Sequence, residues 1–291
     1  MSSWVFYVAD FFSISLFSVL VYHAVRRGKK YLFELIGGCF YGLLLEAANI
    51  MLFGTYFYSD DFLFMIAGVP VAVALGWAGI IYSCMGISDS FGLKEEIKPF
   101  FDSILAILID LSMDVVAIRL GFWYWGISFN EGWFGVPAGN FVGWMFVVFY
   151  YSLLCRIARK KIKDMRTYFI TTVVALPFVA YILMATSLLV TMIVFISGFQ
   201  LYDPTNQLWI FVFQFSLFLT IVIIGSIHFK PTPKNVDCAY KLVPLSFHIF
   251  YIVMFIIFEM YRENIILTIS IPFFFLLNEI VIESYRFSRK H

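Results

Sequence analysis

Long apolar runs separated by short polar stretches recur along the whole chain, and nine are long enough to cross a bilayer core of about 30 Å. They cover residues 4–25, 31–53, 62–84, 100–120, 137–157, 167–197, 208–228, 242–261 and 265–283. This pattern predicts an all-α, polytopic transmembrane bundle forming a single domain over residues 1–291. The sixth run is over-long and is expected to kink at Pro177. The first carries Asp10 and lacks a basic leader or small-residue cleavage site, so it reads as a retained helix rather than a signal peptide.

Composition agrees, because 62% hydrophobic and 13% charged residues with a mean hydropathy of +0.90 lie far from a soluble domain. Orientation follows from the basic residues. With the N-terminus outside and the C-terminus inside, the inner loops hold eighteen of the twenty Lys and Arg, leaving Arg119 and Arg262 outside. A multi-pass cell-membrane protein is expected. The net charge of +1 gives no reason to expect nucleic acid, and the basic clusters read as membrane anchors. The segment from Lys230 to Lys241, with Pro231 and Pro233, reads as an inner linker. Cys39, Cys84, Cys155 and Cys238 show no metal-ligand spacing, so neither a metal site nor a disulfide framework is expected. His248 lies well inside a run, whereas His23 and His228 sit at run ends, and a packed, hydrogen-bonded role is the simplest reading of His248.

Against that apolar background, buried carboxyl groups stand out, since an ionised carboxylate costs several kcal/mol in hydrocarbon. Asp110 and Asp114 lie four residues apart and so share one helix face. Counting 1.5 Å per residue puts Glu46 at nearly the depth of Asp114, with Asn49 one turn higher. Asn140 opens the fifth helix, and Asp10 lies in the outer third of the first. These depths are compatible with one polar pocket in the outer half of the membrane. Glu259 is a further candidate for it, whereas Glu279 and Glu283 are expected to pair with Arg286 or Arg289.

The outer loop after Asp114 holds Trp123, Tyr124, Trp125, Phe129, Trp133 and Phe134 but no Lys or Arg. An interfacial aromatic belt explains the rings. It does not explain the glycines or the Val136-Pro137 corner, which suggest a tightly packed loop covering a cavity. A second set, Tyr56, Phe57 and Tyr58, follows Glu46. Desolvated aromatic faces stabilise a cation by about 2 kcal/mol each.

In order, the chain presents Glu46, Tyr56-Phe57-Tyr58, Gly68-Val69-Pro70, Trp77, Asp110, Asp114, the run from Gly121 to Trp125, and Gly135-Val136-Pro137 with Asn140-Phe141 and Gly143-Trp144. These motifs resemble the carotenoid biosynthesis membrane proteins of archaea and bacteria, which include carotenoid 1',2'-hydratases and the bisanhydrobacterioruberin hydratase. The resemblance covers roughly residues 35–160, a catalytic core, and leaves residues 167–291 as divergent helices.

The resemblance implies a cofactor-independent hydratase, a hydro-lyase that adds water to the terminal double bond of an acyclic carotenoid or related isoprenoid. A neutral buried carboxyl would protonate the alkene, and aromatic faces with a second carboxylate would hold the cation until water attacks. On that expectation Asp114 or Glu46 is the proton donor, Asp110 its partner or water-positioning base, and Asn140 an orienter. Tyr56, Tyr58, Trp77, Trp123, Trp125, Trp133 and Trp144 would bind substrate. The implied partners are a lipid-phase isoprenoid, membrane lipid and a prenyltransferase acting on the same chain end. A carotenoid cyclase or isomerase uses the same protonation without water capture. A proton-coupled transporter and a non-catalytic membrane subunit are the readings from other classes.

Overall fold

Large apolar side chains face outward along most helices, among them Ile182, Leu189, Ile223 and Ile227, as they must where the surroundings are hydrocarbon. The structure, a computed structural model, describes residues 3–229 and 234–284. Its helices are α1 (Trp4–Arg27), α2 (Lys29–Phe53), α3 (Val71–Ser90), α4 (Lys98–Arg119) and α5 (Ala138–Lys161). They continue as α6 (Met165–Phe169), α7 (Leu176–Phe199), α8 (Leu208–Phe229), α9 (Cys238–Ile257) and α10 (Ile265–Glu283). A π-helical stretch, Ile170–Ala175, joins α6 to α7 without a break. It lies just before Pro177, whose missing N–H and bulky ring require a widened turn, so the expected irregularity is a π-bulge.

Among the described residues, eight helices are long and apolar enough to cross a membrane. The exception is α4, which carries Asp102, Asp110 and Asp114 and is the most enclosed element. It packs against α3, α5, α8, α9 and α10, and nearly every side chain on it is buried. Enclosure by protein is what lets a helix keep three aspartates at membrane depth.

The third and eighth helices differ from expectation. Residues 62–70 do not open α3: β2 (Met65–Ile66) and β3 (Val69–Pro70) form a hairpin, with Ala67 and Gly68 both at positive φ in its turn. Pro70 holds the preceding residue extended, so the helix begins only at Val71. In α9, Asp237 accepts from the Ala239 N–H at 3.0 Å and starts the helix four residues early. Gly28, at φ 124°, is the whole link between α1 and α2, a geometry that suits only glycine.

Two further β strands, β1 (Phe57–Tyr58) and β4 (Trp123–Tyr124), pair antiparallel, with Phe57 opposite Tyr124 and Tyr58 opposite Trp123. This two-residue ladder fastens the loop after α2 to the loop after α4. At the other end of the bundle, the ends of α2, α3, α4 and α5 meet in a buried ionic network. Arg156 bonds Asp102 at 3.0 Å and Ser88 at 2.8 Å and also pairs with Asp89. Arg159 bonds Glu34 at 2.6 Å and Asp89 at 2.9 Å. Lys98 reaches Asp89 at 3.0 Å, and Tyr168 donates to Glu34.

Glu283 pairs with Lys241. Its expected partners Arg286 and Arg289 lie outside the described residues, as do Lys230, Pro231 and Pro233 of the expected linker.

Candidate functional site

Close helix crossing places the first carboxyl. A Cβ on Gly42 would lie 2.7 Å from the Cβ of Trp77, so only a glycine lets α3 press this closely on α2. One turn further along α2, Trp77 donates its indole N–H to Glu46 Oε1 at 2.6 Å. Tyr58 donates to Glu46 Oε2 at 2.8 Å, and Tyr56 donates to the same oxygen. Burial, and then the Glu46 charge, hold both loop phenols well above the usual tyrosine range, so they remain donors.

Asp114 is held the same way by the other loop. Trp123 donates its N–H to Oδ1, with Trp125 at 3.4 Å, while Asn140 donates to Oδ2 at 2.6 Å. The Asn140 amide also donates to Asp110 Oδ2, at 2.9 Å. The other oxygen of Asp110 is buried and accepts from nothing among the described residues. Glu46 and Asp114 thus take three donors each, whereas Asp110 takes one.

The carboxyls border one cavity of about 550 Å³, within the ~300–1,000 Å³ usual for small-ligand sites. Trp77, Trp144, Tyr56, Tyr58, Trp123 and Trp125 line it; Trp77 and Trp144 lie 4.0 Å apart between ring centroids, and Tyr56 lies 4.6 Å from Trp125. Among the described residues no Lys, Arg or His borders it. One flank is formed by α2 and α7, where the largely exposed Phe53 and Leu189 lead toward the bundle exterior. The other is formed by α1 and α9. On α5, a Cβ added to Gly139 or Gly143 would meet only Met192 or Leu188, at 3.7 Å each, so these glycines keep the space beside Asn140 open.

Of the eleven residues expected to form the site, ten border the cavity, and Trp133 does not. Its indole donates to the Leu111 carbonyl at 3.0 Å, and it borders a separate surface recess with Arg119 and Glu263. The tight turn at Phe134 and Gly135, both at positive φ, carries Trp133 away from the carboxyls. Asp10 is also outside: its Oδ2 accepts the Leu63 N–H at 2.8 Å and anchors the loop before α3. Glu259 is half-exposed and paired with Arg262 at 2.5 Å.

Sequence reading missed Tyr251 of α9, which is buried and borders the same cavity as Asp110 and Asp114. Its helix is set by His248, which bonds Ser112 at 3.1 Å and Asn278 at 3.2 Å. A tyrosine in an apolar run, one turn after an intramembrane histidine, was the available signal.

A family model described as carotenoid biosynthesis protein matches residues 4–227, a wider stretch than the motif-bearing residues 35–160. No curated protein and no solved structure matches the chain.

Proposed function

Since the chain belongs to the carotenoid biosynthesis protein family, we propose that it is a membrane-embedded hydratase acting on the terminal trisubstituted double bond of an acyclic carotenoid or related isoprenoid. The observation that carries this reading is the unequal hydrogen bonding of two adjacent carboxyls. Asp114, with three N–H donors, is satisfied as an anion. Asp110, with one donor and a bare oxygen, accommodates a proton at least cost.

The roles therefore run opposite to the expected order, with Asp110 as acid and Asp114 as base. The Asp110 O–H gives its proton to the less substituted alkene carbon, and the π electrons form the new C–H bond. The tertiary cation lies among aromatic faces and the Asp114 and Glu46 carboxylates, in a cavity to which the described residues bring no positive charge to repel it. A water oxygen bonds to the cationic carbon, and the proton it sheds passes to Asp114. Return of that proton to Asp110 closes the cycle, with alkene and water giving a tertiary alcohol. General acid–base assistance of this kind contributes about 10²–10⁴-fold.

A substrate dissolved in lipid favours an entry through the side of the bundle, and the α2–α7 flank suits it. The same reading puts the site toward the outer face of the cell membrane, with the N-terminus outside and the C-terminus inside.

Expression in a host making lycopene, with mass spectrometry of the extracted pigments, tests the reading. A gain of one water that is lost in Asp110→Asn at equal protein level is the expected result. Unchanged mass with altered retention would indicate a cyclase or isomerase, and no conversion by well-accumulated wild type would overturn hydration of this polyene.

A further inference from the structure

The family match ends at residue 227, yet α9, which begins eleven residues later, completes one wall of the cavity. Phe247, Phe250 and Tyr251 all border it. Only Tyr251 among them brings a polar atom, and no hydrogen bond within the described residues reaches its hydroxyl. A phenol enclosed in an apolar bundle normally finds a partner, since a buried polar group without one costs about 1–3 kcal/mol. Here the available space is the cavity itself.

The position of that hydroxyl is fixed from outside the cavity. Ser112 lies on α4 between the two aspartates and bonds His248 Nδ1 at 3.1 Å; Asn278 of α10 bonds His248 Nε2 at 3.2 Å. Tyr251 follows His248 by three residues, so a bond that fixes the register of α9 on α4 also fixes the phenol relative to the carboxyls. Ring contacts with Phe250, at 5.0 Å between centroids, hold it from its own helix.

Resting on the hydratase reading, we propose that Tyr251 is a further catalytic residue, which binds the attacking water through its hydroxyl and aims it at the cation. It accepts one water hydrogen, or donates to the water oxygen, and leaves a lone pair free for carbon. The proton lost on C–O bond formation goes to Asp114, so Tyr251 begins and ends neutral. Without this hydroxyl the cation has no placed nucleophile. It then gives up a proton from the neighbouring carbon to Asp114, and an alkene of unchanged mass with a shifted double bond leaves. Tyr251 thereby decides between hydration and isomerisation, from a helix that the family pattern does not reach.

The experiment compares wild type and Tyr251→Phe in the lycopene-producing host, scoring hydrated against isomerised pigment at measured protein level. The expected result is a fall in that ratio of about tenfold or more with conversion retained, because a misplaced nucleophile is a positional loss rather than a loss of acid. A structural role alone would lower both products together. If Tyr251→Phe does not accumulate, Tyr251→Leu, which also lacks the hydroxyl, is scored in its place: isomer in excess supports the role, and hydrate as its major product overturns it. Wild-type hydration with an unaltered ratio in Tyr251→Phe overturns the role alone. Wild type that forms no hydrate overturns the hydratase reading and the role with it.

Discussion

Asp110 and Asp114 occupy successive turns of α4 and accept the two hydrogens of one amide, that of Asn140, at 2.9 and 2.6 Å. Two carboxyls so close to one donor, with no basic side chain among the described residues on the cavity wall, are expected to divide protons unequally, one keeping a proton while its neighbour keeps the charge.

Removing either carboxyl should therefore disable the pair as a unit. Asp110→Asn and Asp114→Asn are each expected to lower product formation by about 10²–10⁴-fold, and the double variant to lose little more. Additive losses, measured as pigment per mole of purified protein, would argue against a shared step.

Asn140→Leu should keep the helix but leave both aspartates without their common donor. A loss of about 10²-fold in turnover is expected, with a fall in stability of about 1–3 kcal/mol for the unpaired oxygens. Thermal unfolding in detergent and pigment analysis read the two effects separately.

Filling the open space on α5 tests the wall rather than the chemistry. Gly143→Leu puts a large side chain where only Leu188 stands near, at 3.7 Å. Turnover should fall while the carboxyl hydrogen bonds persist. Full activity would mean that substrate does not use this side of the cavity.

The ionic network at the opposite end predicts a complementary result. Arg156→Met strands Asp102, which is wholly buried, and loss of one partner from a buried pair costs about 3–5 kcal/mol. Melting temperature should drop sharply, whereas protein that remains folded should convert pigment at the wild-type rate per molecule.

The same contrast shows what the sequence displays and what it conceals. Among the described residues the hydropathy runs coincide with nine long helices, eight of them apolar enough to cross a membrane, because hydrocarbon demands a continuous apolar stretch whatever the packing. Depth counting brought Glu46 and Asp114 to nearly one level, with Asp110 one turn deeper and Asn140 nearer the outer surface, since rise along a helix is fixed. Rotation about the helix axis is not fixed in that way. Asp10 shares the level of the site yet faces the Leu63 amide, and Glu259 faces outward to Arg262. Trp133 is followed at once by a left-handed turn at Phe134 and Gly135, which no hydropathy profile registers. The network of Glu34, Asp89 and Asp102 escaped notice for another reason: its arginines were legible as orientation signals, which masked their pairing.

The β1–β4 ladder binds the fates of the two loops together. Tyr56 and Tyr58 serve Glu46, Trp123 and Trp125 serve Asp114, and the two pairs of rings lie against each other across the strands. Residues 54–59 and 121–126 are consequently a single inheritable module, although more than sixty positions separate them in the chain. A chimera that takes one of these loops from a relative should be crippled, and one that takes both should recover.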